Sequence, residues 1–116
     1  MEYKRFDVIL VDFGKDVIGS EQGGVRPAIV VQNDTGNYFS TTTIVIPLTK
    51  HFKKLFQPTH TLIVKGKDNG LTSDSVALGE AMRQISQERI IRYIGTIRNA
   101  RDRREIKRVY NASFGE

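Results

Sequence analysis

A glycine-rich segment near the N-terminus carries residue types suited to chemistry on an anion. It comprises residues 19–27, Gly19-Ser20-Glu21-Gln22-Gly23-Gly24-Val25-Arg26-Pro27. The glycines allow the backbone to turn tightly and to approach a ligand closely, and Arg26, held beside Pro27, could present its guanidinium to a phosphate. The alternative is an ordinary hairpin loop in which Arg26 pairs with Asp12, Asp16 or Glu21. The segment taken alone favours this alternative, because glycine-rich loops are common.

A second candidate region is the basic loop of residues 50–56 (KHFKKLF). Its lysines, interleaved with phenylalanines, could follow phosphates and stack a base, although a solvated loop with buried aromatic rings fits equally well. His51 has the ordinary pKa of a general base, but a surface histidine among lysines is the favoured interpretation. His60 lies between two threonines in a predicted strand and is expected to be structural.

Composition limits the class of protein. The chain has 116 residues, a net charge of +5 and no cysteine, so one domain spanning residues 1–116 is expected. Disulfides, cysteine-based zinc sites and thiol catalysis are excluded. A basic balance favours polyanionic partners weakly. The N-terminus lacks a signal-peptide core and no segment has the length and apolarity of a membrane span, so we expect a cytoplasmic protein without membrane association.

The elements that must position these residues are mostly short strands. Strands are predicted from their β-branched and aromatic residues, in the segments 6–13, 26–32, 41–48, 59–64, 75–78 and 93–98. A loop is predicted over residues 14–24 and a turn over residues 33–37 (NDTGN). Ser86 is expected to cap a brief helix, and residues 100–113 form an amphipathic helix whose arginines should be solvated. The pattern predicts an α+β, mainly β fold: a small, partly closed antiparallel β-barrel with a C-terminal α-helix.

The order of these segments resembles the MazF/PemK family of toxins. The resemblance begins with the strand Asp7-Val8-Ile9-Leu10-Val11-Asp12-Phe13 and includes residues 19–34, 41–49, 58–60 and 74–76. It implies an SH3-like, CcdB-like barrel that forms homodimers. It also implies a sequence-specific endoribonuclease that cuts single-stranded RNA without a metal or other cofactor, and that is silenced by a cognate antitoxin protein.

By the same resemblance, the family's catalytic arginine falls on Arg26 and its catalytic threonine on Thr49. The 2′-hydroxyl of RNA can attack the adjacent phosphorus, provided that it is aligned and that the developing charge is stabilised. Arg26 would supply fixed hydrogen-bond donors that stabilise this charge. The Thr49 hydroxyl would form a hydrogen bond with the nucleophile or with a phosphoryl oxygen. Without the resemblance, Thr49 would be taken as an ordinary β-branched strand residue.

The side chains expected to bind RNA come from three places. The resemblance matches Ser20, Glu21 and Gln22 to positions that border the RNA groove. The composition of the basic loop adds Lys50, His51, Lys53 and Lys54, and Arg83 is added because it lies near the end of the fifth strand. Where related chains often carry Glu-Gln-Ile-Arg, this chain has Gly79-Glu80-Ala81-Met82-Arg83. Ala81 has no side chain able to bond a base edge, so the cleavage preference is expected to differ. Two alternatives remain, a non-catalytic CcdB-like gyrase poison and a nucleic-acid-binding barrel without turnover.

Overall fold

The computed structural model describes residues 2–15, 23–50 and 57–113. They form seven strands and two helices, joined in part by 3-10 turns at Gly79–Ala81 and Gln87–Arg89. The strands are β1 (Asp7–Asp12), β2 (Val25–Val30), β3 (Thr42–Thr49), β4 (His60–Ile63), β5 (Ser75–Leu78), β6 (Arg83–Ser86) and β7 (Ile90–Thr96); the helices are α1 (Asp34–Phe39) and α2 (Ala100–Ser113). The mainly antiparallel β architecture with a C-terminal helix is the predicted one.

The sheet is organised around β3. Its strand order is β4-β5-β3-β2-β1-β7, and β6 also pairs with β3. One edge of β3 pairs with β2, while the other pairs first with β6, up to Val45, and then with β5, from Leu48. Pro47, which has no N–H to donate, lies where the partner changes. Among the described residues the strand path is open between β4 and β7, so the predicted partial closure does not extend to a closed barrel.

Alternate residues of the central strands contribute to two cores on opposite faces of the sheet. One core contains Val8, Ile29 and Ile46 and continues to α2, whereas the other contains Ile9 and Val45, among others. These five side chains are fully buried, and burial of each stabilises the fold by about 1.5–3 kcal/mol. Because both faces are apolar, the strands show nearly continuous hydrophobic runs in the sequence.

The arginines of α2 attach the helix to the sheet. Arg101 donates to the carbonyl oxygen of Leu62, and Arg103 donates to that of Ile97. Arg108 donates to the carbonyl oxygens of Pro58 and His60, at 2.6 and 2.9 Å. The prediction that the arginines of this helix are merely solvated is therefore wrong for these three. Helical spacing identified the apolar stripe, but it could not reveal which carbonyls lie within reach.

Three local predictions need correction. Residues 34–39 form helix α1 rather than a turn, because the Asn33 side chain accepts from the Gly36 amide and caps a helix as readily as it closes a turn. The last strand begins at Ile90, three residues before the predicted start. Strand β6 was not predicted, because its alternating pattern is only four residues long. The 3-10 turn that follows it is capped by Ser86, and this cap was predicted.

Neither α1 nor α2 has the length and apolar composition of a membrane-spanning helix, and they are the only α-helices in the described part of the chain.

His60 is buried and has a structural role, as expected, because its side chain is hydrogen-bonded to Glu80. Its Nε2 lies 2.6 Å from Oε1 of Glu80, which belongs to the turn between β5 and β6. Burial by itself raises the pKa of Glu80, but the hydrogen bond with His60, further bonds from the Glu80 backbone and Thr59, and the charge interaction with His60 outweigh it, so the pKa is lowered. The contact joins β4 to this turn.

We predict that the hydrogen bond between His60 and Glu80 stabilises the fold near neutral pH and that this contribution is lost in acid. A carboxylate whose pKa is lowered by folding stabilises the native state above its unfolded pKa of about 4.3, and the contribution disappears as the pH falls through the folded value. Glu80→Gln should therefore lower the free energy of unfolding near neutrality, with the difference from wild type shrinking in acid. Urea unfolding at several pH values measures it, with Glu88→Gln as the control for charge removal. The prediction would be contradicted if the difference in free energy of unfolding between the variant and wild type were the same at neutral and at acidic pH.

A second prediction concerns Gly95 of β7, which lies against the loop before β5. A Cβ at this position would approach the carbonyl oxygen of Asp68 to 2.5 Å, and that oxygen accepts the bond from the Thr96 amide. Gly95→Ala should lower the free energy of unfolding by about 1–3 kcal/mol, as measured by denaturant titration. At Gly66 of the same loop, the nearest atom to an added Cβ is 3.8 Å away. Gly66→Ala is therefore the control, and equal losses in both variants would refute the steric explanation.

Candidate active site

The start of β2 and the end of β3 bring the two predicted catalytic residues together. Antiparallel pairing of these strands extends as far as Ala28 and Pro47. Arg26 and Thr49 lie two residues beyond this pair on their strands, at the same end of the β2–β3 ladder. The pairing thus brings an arginine to the same end of the sheet as a threonine that is 23 residues away in sequence.

Arg26 is partly held by its own loop. Its Nε donates to the carbonyl oxygen of Gly23 at 3.0 Å, which helps to orient the guanidinium. Partial burial lowers the pKa of Arg26 below its ordinary value, because desolvation penalises the charged form. An oriented, partly desolvated guanidinium stabilises a phosphoryl charge more strongly than a mobile one in water.

A pocket of about 380 Å³ opens beside the pair. Arg26, Thr49 and Lys50 all line it, so three of the four predicted site residues within the described ranges meet at one cavity. Its apolar lining comes from several strands and from the loop before β5: Leu10, Val25, Pro27, Leu48, Leu71 and Ile94. The pocket can therefore take a flat apolar group beside an anionic one, as a nucleotide presents.

Arg83 does not line this pocket. It opens β6 opposite Val45 of β3, about 13 Å along that strand from Thr49 if the strand is straight. Its guanidinium carbon lies 5.4 Å from the ring centroid of Phe13. The structure thus separates Arg83 from the pocket, and its predicted contact with RNA stays a prediction.

The remaining predicted RNA-binding residues lie outside the described ranges. They are Ser20, Glu21 and Gln22 of the glycine-rich segment and His51, Lys53 and Lys54 of the basic loop.

Sequence reasoning missed four polar residues that line the pocket. They are Thr72, Ser73 and Ser75, from the loop before β5 and its first residue, and Arg92 of β7. No motif marks the hydroxyl residues. Arg92 was missed because the last strand was predicted to begin one residue after it, so that its strand pairing was not considered. Ile90 and Ile91 before it were the available signal for an earlier start.

Comparison with known proteins identifies the family. A sequence profile described as PemK-like, MazF-like toxin of type II toxin-antitoxin system matches residues 4–113. The chain is 48% identical over 90 residues to endoribonuclease EndoA of Bacillus subtilis (strain 168), covering 78% of this chain and 76% of that protein. It is 46% identical over 87 residues to endoribonuclease MazF of Staphylococcus saprophyticus, covering 75% of this chain and 71% of that protein.

Solved structures have the same fold. MazF from Deinococcus radiodurans superposes with a TM-score of 0.75 at 20% identity, over 98% of this chain and 97% of that one. A mycobacterial endoribonuclease, solved in complex with its cognate antitoxin, superposes with a TM-score of 0.75 at 18% identity, over 97% of this chain and 95% of that one. With the fold, the sequence match and the pocket in agreement, the chain belongs to the PemK-like, MazF-like family of toxins of type II toxin–antitoxin systems.

Proposed function

We propose that this endoribonuclease toxin cleaves single-stranded RNA without a metal, with Arg26 and Thr49 as its catalytic residues. The observation that supports the proposal is that Arg26 of β2 and Thr49 of β3 line the same pocket together with Lys50 and Arg92. The relatives that are nearly half identical to it are named endoribonucleases, and this supports the reaction class.

The proposed reaction uses the nucleophile that RNA itself carries. The 2′-oxygen forms a bond to the adjacent phosphorus while the bond from phosphorus to the 5′-oxygen breaks. The 2′-hydroxyl gives up its proton and the leaving 5′-oxygen gains one, so the products are a 2′,3′-cyclic phosphate and a 5′-hydroxyl. The guanidinium of Arg26 stabilises charge on the phosphoryl oxygens. The Thr49 hydroxyl holds the 2′-hydroxyl or a phosphoryl oxygen in line for displacement.

The proposed state of the toxin is a cytoplasmic homodimer of single-domain chains, controlled by an antitoxin. The family to which the chain belongs is defined by toxin–antitoxin pairing. An antitoxin segment with acidic and apolar groups would match the pocket, which combines cations with an apolar lining. Occupation of this pocket would exclude RNA by direct competition.

We predict that purified protein cuts long single-stranded RNA in EDTA and that Arg26→Ala reduces the rate at least about 100-fold, by loss of a charge-stabilising donor. Arg26→Lys keeps the charge but loses the planar fork, so it should recover only part of the activity. Single-turnover cleavage measures the rates, and mapping of the ends should give cyclic phosphates and 5′-hydroxyls. Arg104→Ala, on the exposed side of α2, is the matched control. RNA left intact by a folded wild-type protein would exclude the nuclease and favour a binding module or a gyrase poison.

We also predict that the Thr49 hydroxyl, rather than its shape, is required. Thr49→Val has nearly the same volume and keeps the branched side chain in β3, yet it should reduce the cleavage rate about 10- to 100-fold by loss of a positioning hydrogen bond. Thr49→Ser keeps the hydroxyl and should retain most of the activity. Thermal unfolding of both variants separates catalysis from stability. Equal activity of the valine variant and wild type would remove Thr49 from the mechanism.

A further inference from the structure

The pocket beside Arg26 and Thr49 is unusual in its charge. Among the lining residues within 2–15, 23–50 and 57–113, Arg26, Lys50 and Arg92 are cations and none is a carboxylate. The larger cavity at the start of α2, of about 490 Å³, has four cations but also Asp68 and Asp102 in its lining. The first pocket therefore has the stronger uncompensated positive charge for its size, and a polyanion would be drawn to it.

Arg92 reaches this pocket from the opposite side to Lys50. In the β1–β7 ladder Arg92 pairs with Leu10, and in the β1–β2 ladder Leu10 pairs with Pro27. Arg92, Leu10 and Pro27 therefore form one row across three neighbouring strands and share a face. Strands lie about 4.8 Å apart, so the row spans about 10 Å. Leu10 and Pro27 form an apolar floor beside Arg92, and Leu48 of β3 adds to the apolar lining.

The guanidinium of Arg92 is not committed to the fold. Within residues 2–15, 23–50 and 57–113, no hydrogen bond or salt bridge engages its side chain, which is exposed. The arginines Arg101, Arg103 and Arg108 each donate to backbone carbonyls, and Arg89 of the preceding turn donates to that of Asp12. In contrast with these, the five N–H donors of the Arg92 guanidinium engage no other group in the described part of the chain.

We propose that Arg92 binds a phosphate of the RNA strand next to the scissile phosphate, at the end of the pocket formed by β7. The inference rests on the function proposed above and adds a substrate-binding residue to it. Because β1 lies between β7 and β2, Arg92 and Arg26 enter the pocket from strands about 10 Å apart, a separation suited to two neighbouring phosphates rather than to a single one. The base or ribose between the two phosphates would lie over Leu10 and Pro27, with the hydroxyl groups of Thr72 and Ser73 at its edge.

A residue that binds a neighbouring phosphate should act on substrate affinity and on its dependence on salt. We expect Arg92→Ala to raise KM about 10-fold while kcat stays within about 2-fold of wild type, as for loss of a contact made equally in the ground and transition states. For a single-stranded substrate, the slope of log K against log salt should become shallower by about 0.7, as expected for one lost phosphate contact. Arg92→Lys should keep the salt slope near that of wild type.

Binding is measured separately from cleavage with an RNA oligonucleotide that spans a mapped cleavage site and carries 2′-deoxyribose at the scissile nucleotide. This probe lacks the attacking hydroxyl but keeps every phosphate. Arg104→Ala is the matched control, because it removes the same charge from an exposed position away from the pocket. Circular dichroism tests whether each variant keeps its fold, and measurement of its molar mass in solution tests whether it keeps its oligomeric state. Arg92→Gln, which retains the aliphatic stem, replaces the alanine variant if that variant does not fold.

The outcomes separate the inference from the function on which it rests. If wild type cuts RNA and Arg92→Ala matches it in KM and salt slope, the inference is wrong and the proposed function stands. An equal loss in Arg104→Ala would also overturn it, because the effect would then reflect net charge alone. Failure of wild type to cut RNA would overturn the proposed function and the inference together.

Discussion

The antiparallel pairing of β3 with its neighbours is the constraint on which the site depends. β3 has partners along both edges, and its side chains enter separate cores on the two faces of the sheet. A slip of one residue would exchange these faces and expose side chains such as Ile46 and Val45, which are fully buried. The register is therefore fixed by hydrophobic burial. Because it is fixed, Arg26 and Thr49 come to the same end of the β2–β3 ladder, where both line the pocket, without any direct sequence signal that connects them.

The arginines of this chain perform two physically different tasks. Those of α2 satisfy backbone carbonyls at the margin of the sheet and attach the helix to it. Arg26 and Arg92 lie at strand positions beside the pocket, whose lining in the described part of the chain contains no carboxylate. Net charge alone does not distinguish these roles, since every arginine adds equally to it. The positions of carbonyl groups and carboxylates around each guanidinium determine which ones remain available to an anionic ligand.

Two neighbouring residues in the turn between β5 and β6 differ in role: Glu80 stabilises the turn, whereas Ala81 bears on the expected cleavage preference. Glu80 is engaged with His60 and helps to join β4 to the turn, while Ala81 presents only a methyl group. Neither residue lines the pocket. The fold does not require a longer side chain at Ala81, because the hydrogen bond between Glu80 and His60 already attaches the turn to β4. A cleavage preference different from that of relatives with glutamine at this position remains our expectation.

The sequence by itself determined the architecture and the identity of the principal candidate residues. The β-branched segments located six of the seven strands, the amphipathic spacing gave α2 with its bounds Ala100–Ser113, and the segment before Pro27 pointed to Arg26. Local signals sufficed there because propensity and periodicity are properties of neighbouring residues. Tertiary structure alone decided which edges of β3 are paired, that Asn33 caps a helix, and that Arg83 lies over Phe13 instead of beside Thr49. It also decided that Arg92 lines the pocket, since strand pairing brings together residues far apart in sequence and no local pattern encodes that proximity.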